Sequence, residues 1–151
     1  MSYLASAHDP PDLSQEVRRL FDDLARRRPE RRAFVSGECS PTLDVLETEH
    51  AVEIVADVPG IPADGLRVLI KNNVVLIVGE KERAEPSRTP TSYHLVERDF
   101  GRFARAVRIQ TAVDASRARA TLAHGELRVA VPKLVERRGR ETLVPIEAGR
   151  E

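Results

Sequence analysis

The residue types that most often catalyse reactions or bind metal ions are present in this chain, but they are scattered. The histidines, His8, His50, His94 and His124, fall in a predicted tail, a strand edge, a loop and a turn. No two of them have the four-residue spacing that places two metal ligands on one helix face. No serine stands in a nucleophile-elbow sequence, and neither a P-loop nor a dinucleotide fingerprint occurs. The sequence therefore predicts no enzyme, no metal site and no cofactor.

The charge pattern gives little support to binding of nucleic acid or membranes. The chain has 24 basic and 24 acidic residues, so no net field attracts polyanions. An arginine-rich segment at 26–32 could contact phosphates, but it lacks interleaved aromatic residues for base stacking, and a solvated helix end is the simpler interpretation. No apolar run approaches the ~20 residues that span a bilayer. Since Cys39 is the lone cysteine and no secretory leader is visible, we expect a cytoplasmic protein without nucleic-acid or membrane partners.

Arg105 occupies an unusual position for a charged side chain. The alternation of residues 103–109 places it on the same strand face as Phe103 and Val107, where an unpaired charge would be costly. We expect it to meet a carboxylate from its own chain or from a neighbour, with Glu97 and Asp99 as candidates. The alternative is a position near a strand edge, from which the guanidinium reaches water.

Val144, Pro145 and Ile146 form an isolated apolar motif in a polar tail. The two β-branched side chains lie on one side of an extended segment, and proline fixes φ between them, so the motif could add to a sheet edge of another subunit. Burying each side chain contributes ~1.5–3 kcal/mol, whereas ordering each tail residue costs ~1–2 kcal/mol. We therefore expect weak, exchanging docking that multiple copies strengthen. The alternative is a stray apolar pair in a disordered tail.

Before residue 41, the apolar spacing predicts one amphipathic helix. Asp12 stands at a capping position with Gln15 three residues later, and Pro29 ends the pattern. The apolar residues of the stripe follow the 3.6-residue period: they are Leu13, Val17, Leu20, Phe21 and Leu24. A helix of about four turns is marginal alone. The stripe must therefore pack on the same chain, on another subunit or on a client protein.

From residue 41 onward the apolar period changes to two, which predicts β-strands. The runs at 52–58, 66–71 and 103–109 alternate, and 74–78 is almost wholly apolar, which predicts burial on both faces. Tight hairpin turns are predicted at 72–73 and 124–125. Six or more short strands without an intervening helix indicate an antiparallel sandwich. The chain therefore divides into an N-terminal arm (1–40), a β-domain (41–133) and a C-terminal tail (134–151).

Six segments, in this order and at this spacing, resemble motifs of the small heat-shock proteins and their α-crystallin domain. They are PTLDV at 41–45, DVPGI at 57–61, LIVGEK at 76–81, ERDFGRFAR at 97–105, GELRVAVPK at 125–133 and VPI at 144–146. The resemblance is to the bacterial type of the family. It implies an all-β, immunoglobulin-like antiparallel β-sandwich, with a short N-terminal helix and a flexible C-terminal tail.

The resemblance also implies a function and its residues. Family members are ATP-independent holdases, which bind partly unfolded client proteins under stress and prevent their aggregation, and which are built from homodimers that can form higher oligomers. The strand exchanged between partners would contain Tyr93, His94, Leu95, Val96, Glu97 and Arg98, and Arg105 would lie at the dimer interface. The tail motif would dock in a groove formed by Leu66, Val68, Ile70 and Leu122. The stripe of the N-terminal arm would contact clients.

The main alternative is a co-chaperone or adaptor sandwich of the CS-domain type, which binds one folded partner. Domains of that type have neither an exchanged strand nor a tail motif. The segment at 92–98 and the VPI motif at 144–146 therefore favour the holdase.

Overall fold

The alternating apolar segments of the sequence correspond to strands in the computed structural model, which describes residues 12–27, 39–83, 92–134, 141 and 143–149. The described elements are α1 (Ser14–Arg27), β1 (Leu43–Glu47), β2 (Ala51–Asp57), β3 (Leu66–Lys71), β4 (Val74–Lys81), β5 (Gly101–Arg108), β6 (Arg119–Ala123) and β7 (Glu126–Pro132). Short 3-10 turns at Ala63–Gly65 and Ala115–Arg117 precede β3 and β6. The predicted arginine-rich segment lies outside the described residues beyond Arg27.

The described strands form two antiparallel sheets, with the orders β1-β2-β7-β6 and β3-β4-β5. Valine, leucine and isoleucine fill the space between the sheets, and Phe103 is the aromatic member of this core. Ile54, Val75 and Val131 are wholly buried there. The predicted antiparallel β-sandwich is therefore confirmed.

Both predicted two-residue turns are present, and both need a left-handed backbone. Asn72 and Asn73 have φ values of 51° and 60°, and His124 and Gly125 have values of 53° and 76°. Positive φ at both central residues is the geometry that matches the twist of a two-residue hairpin. The turns join β3 to β4 and β6 to β7.

The second turn also ties two of the recognised sequence motifs together. The amide of Val58 donates a hydrogen bond to the carbonyl oxygen of Gly125 at 2.6 Å. A Cβ at Gly125 would lie 3.2 Å from the Cα of Pro59. The motif at 57–61 therefore closes against the hairpin that opens the motif at 125–133.

Helix α1 packs on the outer face of the β3-β4-β5 sheet. Leu20 and Leu24 form a second apolar cluster there with Leu76 and Val78. This packing explains why the whole of 74–80 is buried, as the continuous apolar run predicted. Asp12 caps the helix, since its Oδ1 accepts a hydrogen bond from the amide of Ser14 at 3.0 Å. The sequence allowed the helical stripe to pack on the same chain, on another subunit or on a client protein. In the single chain it packs on the chain's own sheet.

Candidate functional site

A groove of about 280 Å³ opens between β3 and β6, the terminal strands of the two sheets. Its lining is apolar apart from one arginine and consists of Val68, Ile70, Ala115, Ala118, Arg119, Ala120 and Val129. The alanines leave the width of the groove open, because their side chains end at Cβ. For Ala118 and Ala120, the sequence signal is the alternation of small and charged residues along 117–120.

Two of the four residues predicted for this groove line it, and two lie elsewhere. Val68 and Ile70 face the open volume. Leu66, by contrast, is buried within the core, and Leu122 is half-buried against that core. Alternation identifies the inner face of a strand, but it does not distinguish the middle of that face from its open margin.

The tail motif belongs to no helix or strand and is open to solvent. Val144 and Ile146 are 73% and 98% exposed, and the neighbouring Leu143 is 96% exposed. Pro145 stands between the two β-branched residues and fixes φ there. In the single chain these side chains are therefore accessible to another surface.

Strand β1 is the end strand of its sheet and carries exposed apolar side chains. It pairs with β2 along residues 43–47, and Val45 and Leu46 are 41% and 45% exposed. An end strand presents unpaired backbone N–H and C=O groups that favour pairing with another chain. The outer edge of β1 is therefore a candidate surface for strand addition.

Residues 92–100 form no strand within the single chain. Tyr93, Leu95 and Val96 are 68%, 73% and 57% exposed, and His94, Glu97 and Arg98 are exposed as well. Cation–π contacts hold the end of the segment, since the guanidinium groups of Arg83 and Arg98 lie 4.6 Å and 4.9 Å from the centre of the Phe100 ring. In the single chain this segment is therefore exposed and pairs with none of the described strands.

Arg105 lies half-buried on β5, between the buried residues Phe103 and Val107. Its Nη1 donates a hydrogen bond to the carbonyl oxygen of Pro41 at 2.8 Å. The acceptor within the chain is therefore a backbone carbonyl just before β1, whereas the sequence led us to expect a carboxylate. This bond fixes the beginning of the end strand β1 against β5. Pairing with a carboxylate of a neighbouring subunit stays a prediction.

The helical stripe assigned to client contact is covered by the sheet. Leu20 and Leu24 are buried, and Val17 and Phe21 pack around them; Leu13 is half-buried. Two ion pairs flank the apolar contact: Arg67 Nε lies 2.8 Å from Asp23 Oδ2, and Lys71 Nζ lies 2.6 Å from Glu16 Oε1. The hydrogen bonds from Arg67 and Lys71 hold the pKa values of Asp23 and Glu16 below their usual range.

A third contact joins α1 to β4 and β5. The guanidinium of Arg102 lies 5.0 Å from the centre of the Phe21 ring, and its Nε lies 2.7 Å from Oε1 of the buried Glu80. Glu80 and Arg102 are register partners across β4 and β5. Arg102 therefore neutralises the buried carboxylate and covers the aromatic residue of the helix at the same time.

Reactive side chains are not gathered in the part of the chain that the structure describes. No group of three or more His, Cys, Asp and Glu residues there has the arrangement of a metal site. Cys39 is half-buried with its Sγ 3.4 Å from the carbonyl oxygen of Gly101, and burial raises the pKa of its thiol. No helix in the described ranges has the length and apolar content that crossing a membrane requires.

These features define a class of protein: a β-sandwich with open strand edges, a groove between its two sheets and an exposed apolar tail motif. The chain belongs to the Hsp20/alpha crystallin family, whose family model matches residues 44–147. This membership places it among the small heat-shock chaperones, which are generally not enzymes.

Curated relatives and solved structures agree with this assignment. Heat shock protein 16 of Schizosaccharomyces pombe is 32% identical over 78% of this chain and 83% of its own length. Small heat shock protein C4 of Rickettsia felis is 30% identical over 62% of this chain, which spans 57% of that relative. The structure of heat shock protein 16.0 from S. pombe superposes with a TM-score of 0.62 at 30% identity, covering 73% of this chain and all of that one.

A small heat-shock protein from Xylella fastidiosa, described as having a distinct high order structure, superposes with a TM-score of 0.59 at 28% identity, over 74% of this chain and 98% of its own. The family resemblance and the fold class predicted from the sequence are thereby confirmed.

Proposed function

We propose that this protein is an ATP-independent holdase that binds partly unfolded cytoplasmic proteins under stress and prevents their aggregation. Its building block is a homodimer, which the tail can link into larger assemblies. Its three parts are the arm (1–40), the sandwich (41–133) and the tail (134–151). No covalent step and no cofactor are needed, since capture depends on non-covalent contacts with exposed surface.

The observation that carries this proposal is a set of apolar segments left unpaired in the single chain. These segments are the edge of β1, the segment at 92–98, the tail motif at 144–146 and the groove between β3 and β6. Two of them are a strand edge and a groove, and the other two are exposed peptide segments outside any helix or strand. A strand edge and a groove can each bind a peptide segment, so the four features are complementary to one another. This complementarity supports association between copies of the chain.

In the proposed dimer, residues 92–98 of one subunit add to the free edge of β1 in the other. Backbone hydrogen bonds would pair the exposed edge, and Tyr93 and Leu95 would cover the same side of the added strand. Arg105 then lies beside the exchanged segment, because its hydrogen bond to Pro41 places it at the beginning of β1. The relative from X. fastidiosa, with its high order structure, supports assembly beyond the single chain.

In larger assemblies, Val144 and Ile146 insert into the β3–β6 groove. The small side chains of Ala115, Ala118 and Ala120 leave room for two β-branched side chains. Each docked tail contributes little, because ~1.5–3 kcal/mol per buried side chain is largely offset by ordering of the tail. Heating therefore releases tails readily and exposes apolar surface to unfolding clients.

The test is light scattering from a heat-labile client at its unfolding temperature, with and without this protein and in the absence of ATP. We expect suppression of scattering at near-equimolar ratios. A lack of suppression at several-fold excess, while circular dichroism shows the sandwich folded, would reject the holdase. The adaptor that binds one folded partner would then be the better hypothesis.

A further inference from the structure

The outer face of the β3-β4-β5 sheet is an apolar patch with a cationic rim, and α1 covers it. Leu76 and Val78 are its buried centre, and Leu69 and Ala104 pack beside them. The rim consists of Arg67, Lys71 and Arg102, each of which contacts α1. We define these seven residues as the covered face.

Helix α1 matches the covered face in both apolarity and charge. Leu20 and Leu24, one helical turn apart, contact its apolar centre. Glu16 and Asp23 stand on either side of them and meet Lys71 and Arg67. Helix α1 therefore shows which kind of segment fits this surface: an amphipathic segment whose leucines are flanked by carboxylates.

While α1 is docked, neither the covered face nor the apolar stripe of the helix can bind a client. Leu24 is 2% exposed and Val78 is wholly buried, so neither can reach another protein. Undocking would expose both surfaces together. A single helix of about four turns is marginal in water, and elements held by few buried contacts open at lower free energy than the core. Release of α1 without unfolding of the sandwich is therefore accessible.

We propose that the covered face is a client-binding surface that takes amphipathic apolar segments bearing carboxylates, and that α1 is its resident competitor. This inference rests on the proposed holdase function and names the class of segment that the holdase captures. Binding of a client segment and docking of α1 are mutually exclusive. Conditions that release α1 therefore raise the fraction of chains able to bind.

The positive charge of the rim explains why the covered face favours segments that bear carboxylates. Arg67 also donates to the carbonyl oxygen of Leu66, so its guanidinium is held in place by the strand as well as by Asp23. When α1 leaves, Arg67 and Lys71 lose their carboxylate partners, whereas Arg102 keeps Glu80. A segment with carboxylates replaces the lost partners, and a segment with lysines at those positions would be repelled.

The test measures binding of a fluorescein-labelled peptide of residues 12–27 to the full chain by fluorescence polarisation. In a Cys39→Ala background, Asp23→Cys with Arg67→Cys provides two thiols that a short bis-methanethiosulfonate reagent can bridge, which locks α1 onto the sheet and is reversed by reduction. The matched control is Glu53→Cys with Arg128→Cys, because the side chains of that ion pair meet at the same 2.8 Å on the other sheet. We expect the 23–67 cross-link to abolish peptide binding, reduction to restore it, and the 53–128 cross-link to leave it unchanged.

A variant without a cross-link decides the same question independently. Asp23→Arg places an arginine against Arg67 and should loosen α1, so the native peptide should bind this chain several-fold more tightly than the native chain. A peptide with Glu16→Lys and Asp23→Lys should not bind either chain. Equal affinity of the native and Asp23→Arg chains, or undiminished binding to the locked chain, would overturn the inference.

Light scattering from a heat-labile client, measured with the same chains, separates this inference from the holdase itself. We expect the locked chain to suppress aggregation less than the 53–128 control. Equal suppression by both would overturn the covered face as a client site and leave the holdase standing. Loss of peptide binding on locking, with no suppression by any chain, would support the surface and reject the holdase.

Discussion

The ring of Phe103 lies directly over Gly79. The two residues are register partners across β4 and β5, and a Cβ at Gly79 would stand 2.4 Å from Cζ of the ring and 2.9 Å from Cδ2 of Leu66. Gly79 belongs to the sequence motif at 76–81 and Phe103 to the motif at 97–105. The two motifs therefore meet in one packing contact, in which the ring of Phe103 fills the space that a side chain at position 79 would occupy.

The substitution Gly79→Ala should destabilise the sandwich, because even one methyl group overlaps a ring held in the core. Overpacking of this kind costs about 1–3 kcal/mol, so we expect a clear fall in Tm by circular dichroism. The control is Gly149→Ala, since no atom lies within 4 Å of a Cβ there. Adding Phe103→Leu to Gly79→Ala should cost less than the sum of the two single changes. An unchanged Tm for Gly79→Ala would contradict the contact.

The sequence predicted the strands and turns well because their signals are local. Alternation placed β2, β3 and β5, a continuous apolar run placed β4, and asparagine and glycine marked the turns at 72–73 and 124–125. What α1 packs on could not be predicted in this way. An amphipathic stripe shows that one helix face is buried, but the same stripe fits a sheet, a second subunit or a client.

The candidate site was predicted less completely, and for a related reason. Alternation put Leu66 on the inner face of β3, but its burial in the core, away from the groove, depends on how the two sheets lie together. The acceptor for Arg105 is the carbonyl oxygen of Pro41, and a backbone carbonyl has no signature in the sequence. The alanines of the groove give only a weak signal in the sequence, because a small side chain indicates an open groove only when the residues around it are known.

The paired substitutions Val144→Ser and Ile146→Ser should reduce the size of assemblies without changing the stability of the sandwich. Both side chains are exposed in the single chain, so their loss removes only contacts between subunits. We expect a smaller mass by size exclusion with multi-angle light scattering, and an unchanged Tm for a dilute sample. Leu143→Ser is the matched control, since Leu143 is equally exposed but lies outside the motif. An unchanged mass for the paired variant would reject docking of the tail.

The substitution Leu95→Asp should convert the proposed dimer to monomers. Leu95 is 73% exposed in the single chain, and a carboxylate in the exchanged strand would have to be buried against the partner. Sedimentation velocity should show a monomer that keeps its β-sheet circular dichroism. Leu134→Asp is the control, because Leu134 is also an exposed leucine but follows β7. A dimer that persists in Leu95→Asp at micromolar concentration would show that residues 92–98 are not the exchanged segment.

Acid should release α1 from the covered face before the sandwich unfolds. In the docked state the pKa values of Asp23 and Glu16 are lowered from 3.8 and 4.5, chiefly by hydrogen bonds from Arg67 and Lys71. Released helix has the ordinary values and binds more protons at low pH, so protonation favours release. The stabilisation is complete above about pH 5 and is lost as pH falls through the lowered pKa values. Arg26 also faces Asp23, with its Nη2 3.8 Å from Oδ1, and the charges of Arg27 and Arg19 act in the same direction on Asp23 and Glu16. Arg102 and Glu80, beside them on the sheet, pair with each other.

Since the chain contains no tryptophan, Phe21→Trp supplies a single tryptophan beneath Arg102, whose emission can be excited selectively at long wavelength. We expect its emission to shift to longer wavelength as pH falls below about 4.5, while the far-ultraviolet signal of the sheets is retained. The control adds Glu16→Gln and Asp23→Asn to the same chain, which removes the two titrating groups and should flatten the pH profile. If both chains gave the same profile, the carboxylates of α1 would not govern its docking, and the acid dependence would have to come from the sandwich itself.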